Sequence, residues 1–339
     1  VPELSTRILN PQRFGWVMNN IVALSDQIVD WMFESLFTMK NSSHYLFIFN
    51  PAADKGRAAR KVEWLSAFLS GREDSAMVTT THVGHAEDIA RSTIVENRCL
   101  ISCGGDGTLH EVVNGVAGKG VKVGILPIGS ANDFIRTLNP PNSSNLGISH
   151  LFNALSRKVD LGSVVFGSAD RRYFINSMGV GFTGKVAKAV KGAPWLKGEL
   201  CYLYALLRVL VGHRALQMNI KITLEDSFLE IHEPVFAFSV SNGKIEGGKF
   251  RIAPHAELTD GLLDVCILKA ISPFGFFRYV FKYLNGTQIN DAKVFYCKAK
   301  AVELTLAKPD VMHMDGEVYD NIRGKIEISV CPQGVTMLV

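Results

Sequence analysis

Cys99–Gly115 reads CLISCGGDGTLHEVVNG. An apolar run ends in two glycines, an aspartate, a third glycine and a threonine, and an amphipathic helix is expected from Leu109 onward. Strand, glycine-rich turn and helix start together make an anion cradle. Glycine lacks a Cβ and reaches φ > 0 freely, so the backbone can approach a bulky group. The first amides of the helix have no intrahelical partners and point into the turn. The pattern is neither G-x-G-x-x-G nor the P-loop with its Lys-Ser/Thr. Asp106 is the unusual member, because a carboxylate repels phosphate unless a metal or a proton transfer requires it. In a purely structural reading it caps a tight turn.

The flanking sequence repeats the same order. Tyr45–Asn50 (YLFIFN) and Met77–Thr81 read as strands, with helices expected over Arg57–Ser70 and Ala86–Val95. Val121–Pro127 is a further strand that runs into IGSANDFIRTL, where a helix begins near Ser130. Strands alternating with helices predict a parallel, doubly wound sheet. Such sheets bind ligands beyond the carboxyl ends of their strands. Asn50, Thr80, Gly104–Thr108 and Gly129–Asp133 all fall at such ends.

Beyond Asp160 the character changes. Val164–Phe166, Tyr173–Ser177, Met218–Leu224, Val235–Ser241, Leu262–Leu268, Val294–Ala299, Ala301–Leu306 and Lys325–Val330 read as short strands separated by turn residues. Helical inserts are expected over Lys197–Val211 and Phe274–Leu284. The expected fold class is α/β plus β. An N-terminal doubly wound α/β nucleotide-binding domain spans 44–162 and a C-terminal antiparallel β-sandwich spans 163–339. The active site lies in the cleft between them, and the last segment returns to the first domain. Residues 1–43 form a helical extension. Its stretch Phe14–Phe37 carries Asp26, Asp30 and Glu34 on one stripe, and that acidity favours packing against protein over lipid.

The bulk composition excludes several classes. The chain has 339 residues and a net charge of +4, with no long Lys/Arg run, so nucleic acid is not an expected partner. Its 6 cysteines form no C-x-x-C pair, and no His cluster has zinc spacing. No apolar run is long enough to span a bilayer, and the start shows no signal-peptide pattern. A cytoplasmic protein with reduced thiols is expected.

Three further motifs carry candidate chemistry. Asp315–Glu317 (DGE) is either a plain turn or the seat of a general base, with Glu317 taking a proton. Gly247–Val265 is a polar loop in which Asp260 and neighbouring carbonyls could hold a hard cation, or simply a Thr-Asp-Gly turn. The two helical inserts interleave aromatic and aliphatic residues with Lys and Arg, which suits core packing or an interfacial lipid site.

Taken together, the NP turn at Asn50–Pro51, TTHVGHA (80–86), GGDGT with Glu111 and Asn114–Gly115, GSANDF (129–134), Val159–Asp160, APHAELTDGLLDV (253–265) and DGE resemble the diacylglycerol kinase catalytic-domain family. The resemblance is to its soluble bacterial lipid kinases, which are related to sphingosine and ceramide kinases, and covers about residues 44 to 335. It implies transfer of the ATP γ-phosphoryl group, with Mg²⁺, to a lipid hydroxyl. Diacylglycerol is the first expectation; phosphatidylglycerol and a sphingoid base are alternatives. It implies that Thr80, Gly104, Gly105, Asp106, Gly107, Thr108, Leu109, His110 and Ser130 contact ATP, with the strand-end Asn50 and Asn132 in the same set. Glu317 is then the proton acceptor, and Asp106 and Asp160 complete a carboxylate and water network around Mg²⁺. Glu257 and Leu262 through carbonyls, and Asp260 through its side chain, would hold a structural cation. Transient contact with the inner face of the membrane is implied, and a homodimer is compatible. Ser130 stands where threonine is usual, and His110 where asparagine is common. NAD kinases share GGDGT but lack the GSANDF helix start and the DGLLD run. A non-catalytic lipid-binding protein of this fold would have no need of three carboxylates near a phosphate.

Overall fold

A computed structural model describes residues 44–138, 148–167, 171–193 and 198–339. The expected helix Phe14–Phe37 and the loop Pro140–Gly147 lie outside these residues.

Four parallel strands open the chain: β1 (Tyr45–Phe49), β2 (Ser75–Thr79), β3 (Cys99–Gly104) and β4 (Lys122–Pro127), in the order β2-β1-β3-β4. Side chains alternate across a strand, so each strand feeds two cores. Leu46, Ile48 and Leu100 meet helices α2 (His85–Ser92) and α3 (Asp106–Val116) on one face. Phe47, Phe49, Ile101 and Cys103 meet α1 (Val62–Leu69) on the other. Helix α4 (Asp133–Leu138) inserts Phe134 and Leu138 into the first of these cores. Because the strands are parallel, Asn50, Thr80, Gly104 and Ile128 leave from one edge. The amides of Asn50, Thr80 and Ile128 bond Cys103, Phe49 and Gly104 carbonyls there.

The second half is antiparallel. Strands β5 (Ser156–Phe166), β6 (Arg172–Phe174), β7 (Ser177–Gly181), β8 (Leu216–Thr223), β9 (Phe228–Ile231), β10 (Pro234–Ser241), β11 (Leu263–Lys269), β12 (Val294–Ala299), β13 (Ala301–Met314) and β14 (Glu317–Leu338) enclose a core of Val180, Ile220, Phe238, Val265, Leu304, Met312 and Ile328. Strand β13 changes partner at an irregularity near Asp310, pairing β8 before it and β7 after it. The outer face of β10–β12 is covered by α5 (Phe182–Lys191), α6 (Gly198–Gly212) and α7 (Pro273–Asn285), through Phe182, Leu206, Leu210, Phe276 and Tyr279. Helix α7 begins at Ser272, whose hydroxyl accepts the Gly275 amide, and ends at Gly286 with φ 73°.

The structure departs from the sequence reading in several places. The stretch read as one helix over Arg57–Ser70 begins as a 3-10 helix up to Lys61 and is α-helical only from Val62, following left-handed backbone at Asp54, Lys55 and Gly56. Helix α5 was not expected. Strand β5 starts at Ser156, so Asp160 lies within a strand. Strand β14 runs 22 residues, past the expected Lys325–Val330, and its end pairs β4 in parallel at Thr336 and Met337.

Candidate active site

The two glycine turns at the ends of β3 and β4 touch through their backbones. A Cβ on Gly129 would lie 2.3 Å from Gly105 Cα, and one on Gly105 would lie 3.3 Å from Gly129 Cα. Only glycine permits this approach, and it leaves a shallow cradle of main-chain groups at the strand edge. Asn50 and Asn132 brace the cradle. Asn50 Nδ2 donates to Thr108 Oγ1 at 2.9 Å, and Asn132 Nδ2 donates to the Gly129 carbonyl at 2.9 Å. The start of α3, at Asp106–Thr108, opens onto the same edge.

Asp106 caps a helix, but not its own. Its Oδ1 accepts the Phe134 amide at 3.3 Å, at the start of α4. That bond ties the two glycine turns together and holds Asp106 close to Asp133. Burial raises both carboxyls above the ordinary range; repulsion from Asp315 raises Asp106 further, and repulsion from Asp106 raises Asp133. Asp133 Oδ1 in turn accepts the Gly248 amide at 2.8 Å.

The DGE turn reaches this edge from the second half. Asp315 (φ 50°) and Gly316 (φ 84°) form a two-residue hairpin between β13 and β14. Glu317 follows, and its Oε1 lies 2.6 Å from where a Cβ on Gly107 would stand. Its Oε2 accepts the Lys191 ammonium at 2.6 Å, from the last turn of α5. A carboxylate is thus set over the first turn of the cradle helix, 210 positions away in sequence by the difference between 317 and 107.

Several predicted site residues have other work. His110 is buried; its Nδ1 meets Asp315 Oδ2 at 2.9 Å and its Nε2 faces the Tyr319 hydroxyl. Leu109 places its side chain in the core, and its amide is spent on the Gly105 carbonyl at 3.1 Å. Ser130 Oγ donates to Asp54 Oδ1 at 2.6 Å, and Asp54 also holds Arg57. The Arg57 and Ser130 bonds keep the Asp54 carboxyl below its usual range. Thr80 is buried at the end of β2, with its amide on the Phe49 carbonyl.

Asp160 goes elsewhere. Its two oxygens accept the amides of Gly261 and Gln333, both at 2.7 Å. It fastens the 257–262 turn to β5 and β14, and the structure brings it to Asp260's loop, not to Glu317. In that loop, Asp260 Oδ1 accepts the Leu262 amide at 3.1 Å, and Asp260 Oδ2 carries the Lys298 ammonium. The candidate cation ligands Glu257, Asp260 and Leu262 do share one turn, but Asp260 already has a cationic partner. Among the described residues no three His, Cys, Asp or Glu side chains gather as a metal site.

The sequence reading missed Lys191 and the role of Asp133. Lys191 ends an amphipathic helix that a 3.6-residue period in Phe182, Val186, Ala189 and Val190 could have shown. Nothing local indicates that it reaches Glu317. The pairing of Asp133 with Asp106 was equally invisible, because it depends on the contact of the two turns.

Most of the chain is similar to known proteins. Residues 44–164 match the diacylglycerol kinase catalytic domain, and residues 176–339 match the YegS C-terminal NAD kinase beta sandwich-like domain. A Bacillus subtilis (strain 168) protein named diacylglycerol kinase is 30% identical over 287 residues, covering 82% of this chain and 91% of the relative. A diacylglycerol kinase of Staphylococcus aureus (strain MRSA252) is 28% identical over 276 residues, covering 80% and 84%. A solved structure of a Bacillus anthracis str. Sterne diacylglycerol kinase superposes with a TM-score of 0.63 at 22% identity, covering 88% of this chain and 96% of that one. That structure shares the fold.

Proposed function

The chain belongs to the diacylglycerol kinase catalytic-domain family and is a lipid kinase, and from that premise we propose that it transfers the γ-phosphoryl group of ATP to the hydroxyl of a membrane lipid, diacylglycerol first among them. The observation that carries this reading is the Glu317 carboxylate standing over Gly107, at the mouth of a glycine cradle. A base at that point can take the proton of a hydroxyl attacking a phosphate held in the cradle.

ATP places its phosphates against Gly104–Thr108 and the Gly129–Ser130 turn, where main-chain amides and the start of α3 favour negative charge. Ser130 exchanges its Asp54 bond for a phosphate oxygen. The lipid hydroxyl enters beside Glu317, which exchanges the Lys191 ammonium for the hydroxyl proton as the γ-phosphoryl group moves in line. Lys191, so released, stands beside the transferring group as a counter-charge. When bound with the nucleotide, Mg²⁺ would supply neutralisation of charge on the phosphate oxygens. Its protein contacts would be few, namely Asp106 and Glu317 on either side of Gly107, as is usual for a Mg²⁺ held chiefly by substrate phosphates. Asp160 acts at a distance, by fixing the 257–262 turn.

The lipid comes from a membrane that this protein visits. Among the described residues no helix is long and apolar enough to cross one. Phe274, Phe277 and Phe281 are exposed along α7 beside Arg278, and Leu200, Leu203 and Val211 are exposed along α6 beside Arg208. Aromatic and aliphatic side chains with interleaved cations suit a brief stay at an anionic lipid surface.

The test is transfer of label from γ-labelled ATP with Mg²⁺ to diacylglycerol, phosphatidylglycerol and a sphingoid base in mixed micelles, with NAD as a further acceptor. Label in diacylglycerol is the expected result. Label in NAD alone would overturn the reading.

A further inference from the structure

Beyond the kinase site, the turn Glu257–Leu262 raises a question of charge. Glu257, Asp260 and Asp264 crowd one end of β11, and Asp264 is buried with the Tyr296 hydroxyl donating to it. A cation beside three neighbouring carboxyl groups offsets their repulsion. In many proteins a divalent ion supplies it through carboxylate and carbonyl oxygens. Here a side chain is already in that position. Lys298 lies opposite Asp264 in the β11–β12 register, its ammonium makes a close ion pair with Asp260 Oδ2, and Glu257 Oε1 lies 4.0 Å from it. The other oxygen of Asp260 is committed to the Leu262 amide.

We propose that the Lys298 ammonium holds this turn in place of a divalent cation, so that the fold carries its structural counter-ion covalently. The residues do not fit a bound dication as they stand. A Mg²⁺ or Ca²⁺ needs six or more oxygens around it, and on Asp260 it would meet a like charge at contact distance. The pair is also more than a surface ornament. The Asp260 side chain is 19% exposed and that of Lys298 30%, and the turn they fasten donates the Gly261 amide to Asp160. The lysine therefore secures the anchor of β5 and β14 at Gln333 through one continuous set of bonds.

The test is thermal unfolding of the full chain without nucleotide, after EDTA treatment and then in millimolar Mg²⁺ or Ca²⁺. The wild type is expected to melt at one temperature in all three conditions. Lys298→Met should melt several degrees lower and regain most of the loss in Mg²⁺ or Ca²⁺, because removing the ammonium opens the same oxygens to a dication. If Lys298→Met folds only when the dication is present, that is the same result in stronger form. A wild type that loses stability on chelation, with the loss absent in Asp260→Asn, would overturn the proposal. So would a Lys298→Met protein that no dication restores.

Discussion

Lys191 Nζ lies 2.6 Å from Glu317 Oε2, joining the last turn of α5 to the first residue of β14. Both side chains are partly exposed, 50% and 27%, so the pair adds at most about 1 kcal/mol to stability. Its value lies in what it holds. Glu317→Gln should lower kcat by about 10²–10⁴-fold, the usual worth of a general base. The melting temperature should stay within a few degrees. Steady-state kinetics with saturating lipid and ATP, alongside calorimetry, separates the two effects. Wild-type turnover in the Gln variant would remove Glu317 from the chemistry.

Gly107→Ala tests the same carboxylate from the other side. A Cβ there would come within 2.6 Å of Glu317 Oε1, the free end of a flexible side chain, which can yield. Alanine also favours a helix over glycine by about 1 kcal/mol. The variant should therefore fold at least as well as wild type while turning over about 10²-fold more slowly, because a base displaced by an ångström loses its alignment. Gly129→Ala should behave in the opposite sense. Its Cβ would meet the Gly105 backbone, which cannot yield, at a cost of about 1–3 kcal/mol. Equal stability for the two variants would show that the glycine turns do not touch.

Asp315 belongs to the same DGE turn and does different work. Its carboxylate accepts the amides of Ile175, Asn176 and Ser177 at 3.0, 2.9 and 3.1 Å and meets His110 at 2.9 Å. All of this is buried. Asp315→Ala leaves three amides without partners, each worth about 1–3 kcal/mol, so urea unfolding should show a loss of at least about 3 kcal/mol. Asp315→Asn retains one acceptor oxygen and should lose less. An alanine variant as stable as wild type would mean that water replaces the carboxylate.

These residues show where sequence reading succeeds. β1, β3 and β4 were legible because each is a short apolar run bounded by turn residues, and the cradle was legible because strand, glycines and helix are contiguous. Glu317, the proposed base, was visible only as part of a motif. Its partner Lys191 lies 126 positions away, and Asp315 reaches amides 138 to 140 positions away. No local period encodes such contacts. Leu109 and His110 sit inside a phosphate-binding pattern, but a helix turns its successive residues to different sides and sends these two side chains inward, which the pattern does not show. β14 extends past Lys325–Val330 on both sides, because turn-type residues that read as strand ends, Asn321 and Gly324 before it and Pro332–Gly334 after it, are carried within the strand, with positive φ at Asn321, Gly324 and Gln333.

The Asp106–Asp133 pair makes stability depend on pH in an unusual direction. Burial and the neighbouring Asp106 push the Asp133 carboxyl up to about 8, against about 3.9 for an unfolded aspartate. Between those values the folded protein holds a proton that the unfolded chain has released. Stability then falls as pH rises, with a slope of up to about 1.4 kcal/mol per pH unit where one full proton differs. The contribution is complete below pH about 4 and is lost as pH passes 8. Asp133→Asn keeps an oxygen for the Gly248 amide and cannot titrate, so it should flatten this slope. Unfolding followed from pH 5 to 8 for both proteins measures it. The stability gap between them should move steadily against the wild type as pH rises. A constant gap across that range would show that the Asp133 carboxyl is ionised throughout and is not raised by its burial beside Asp106.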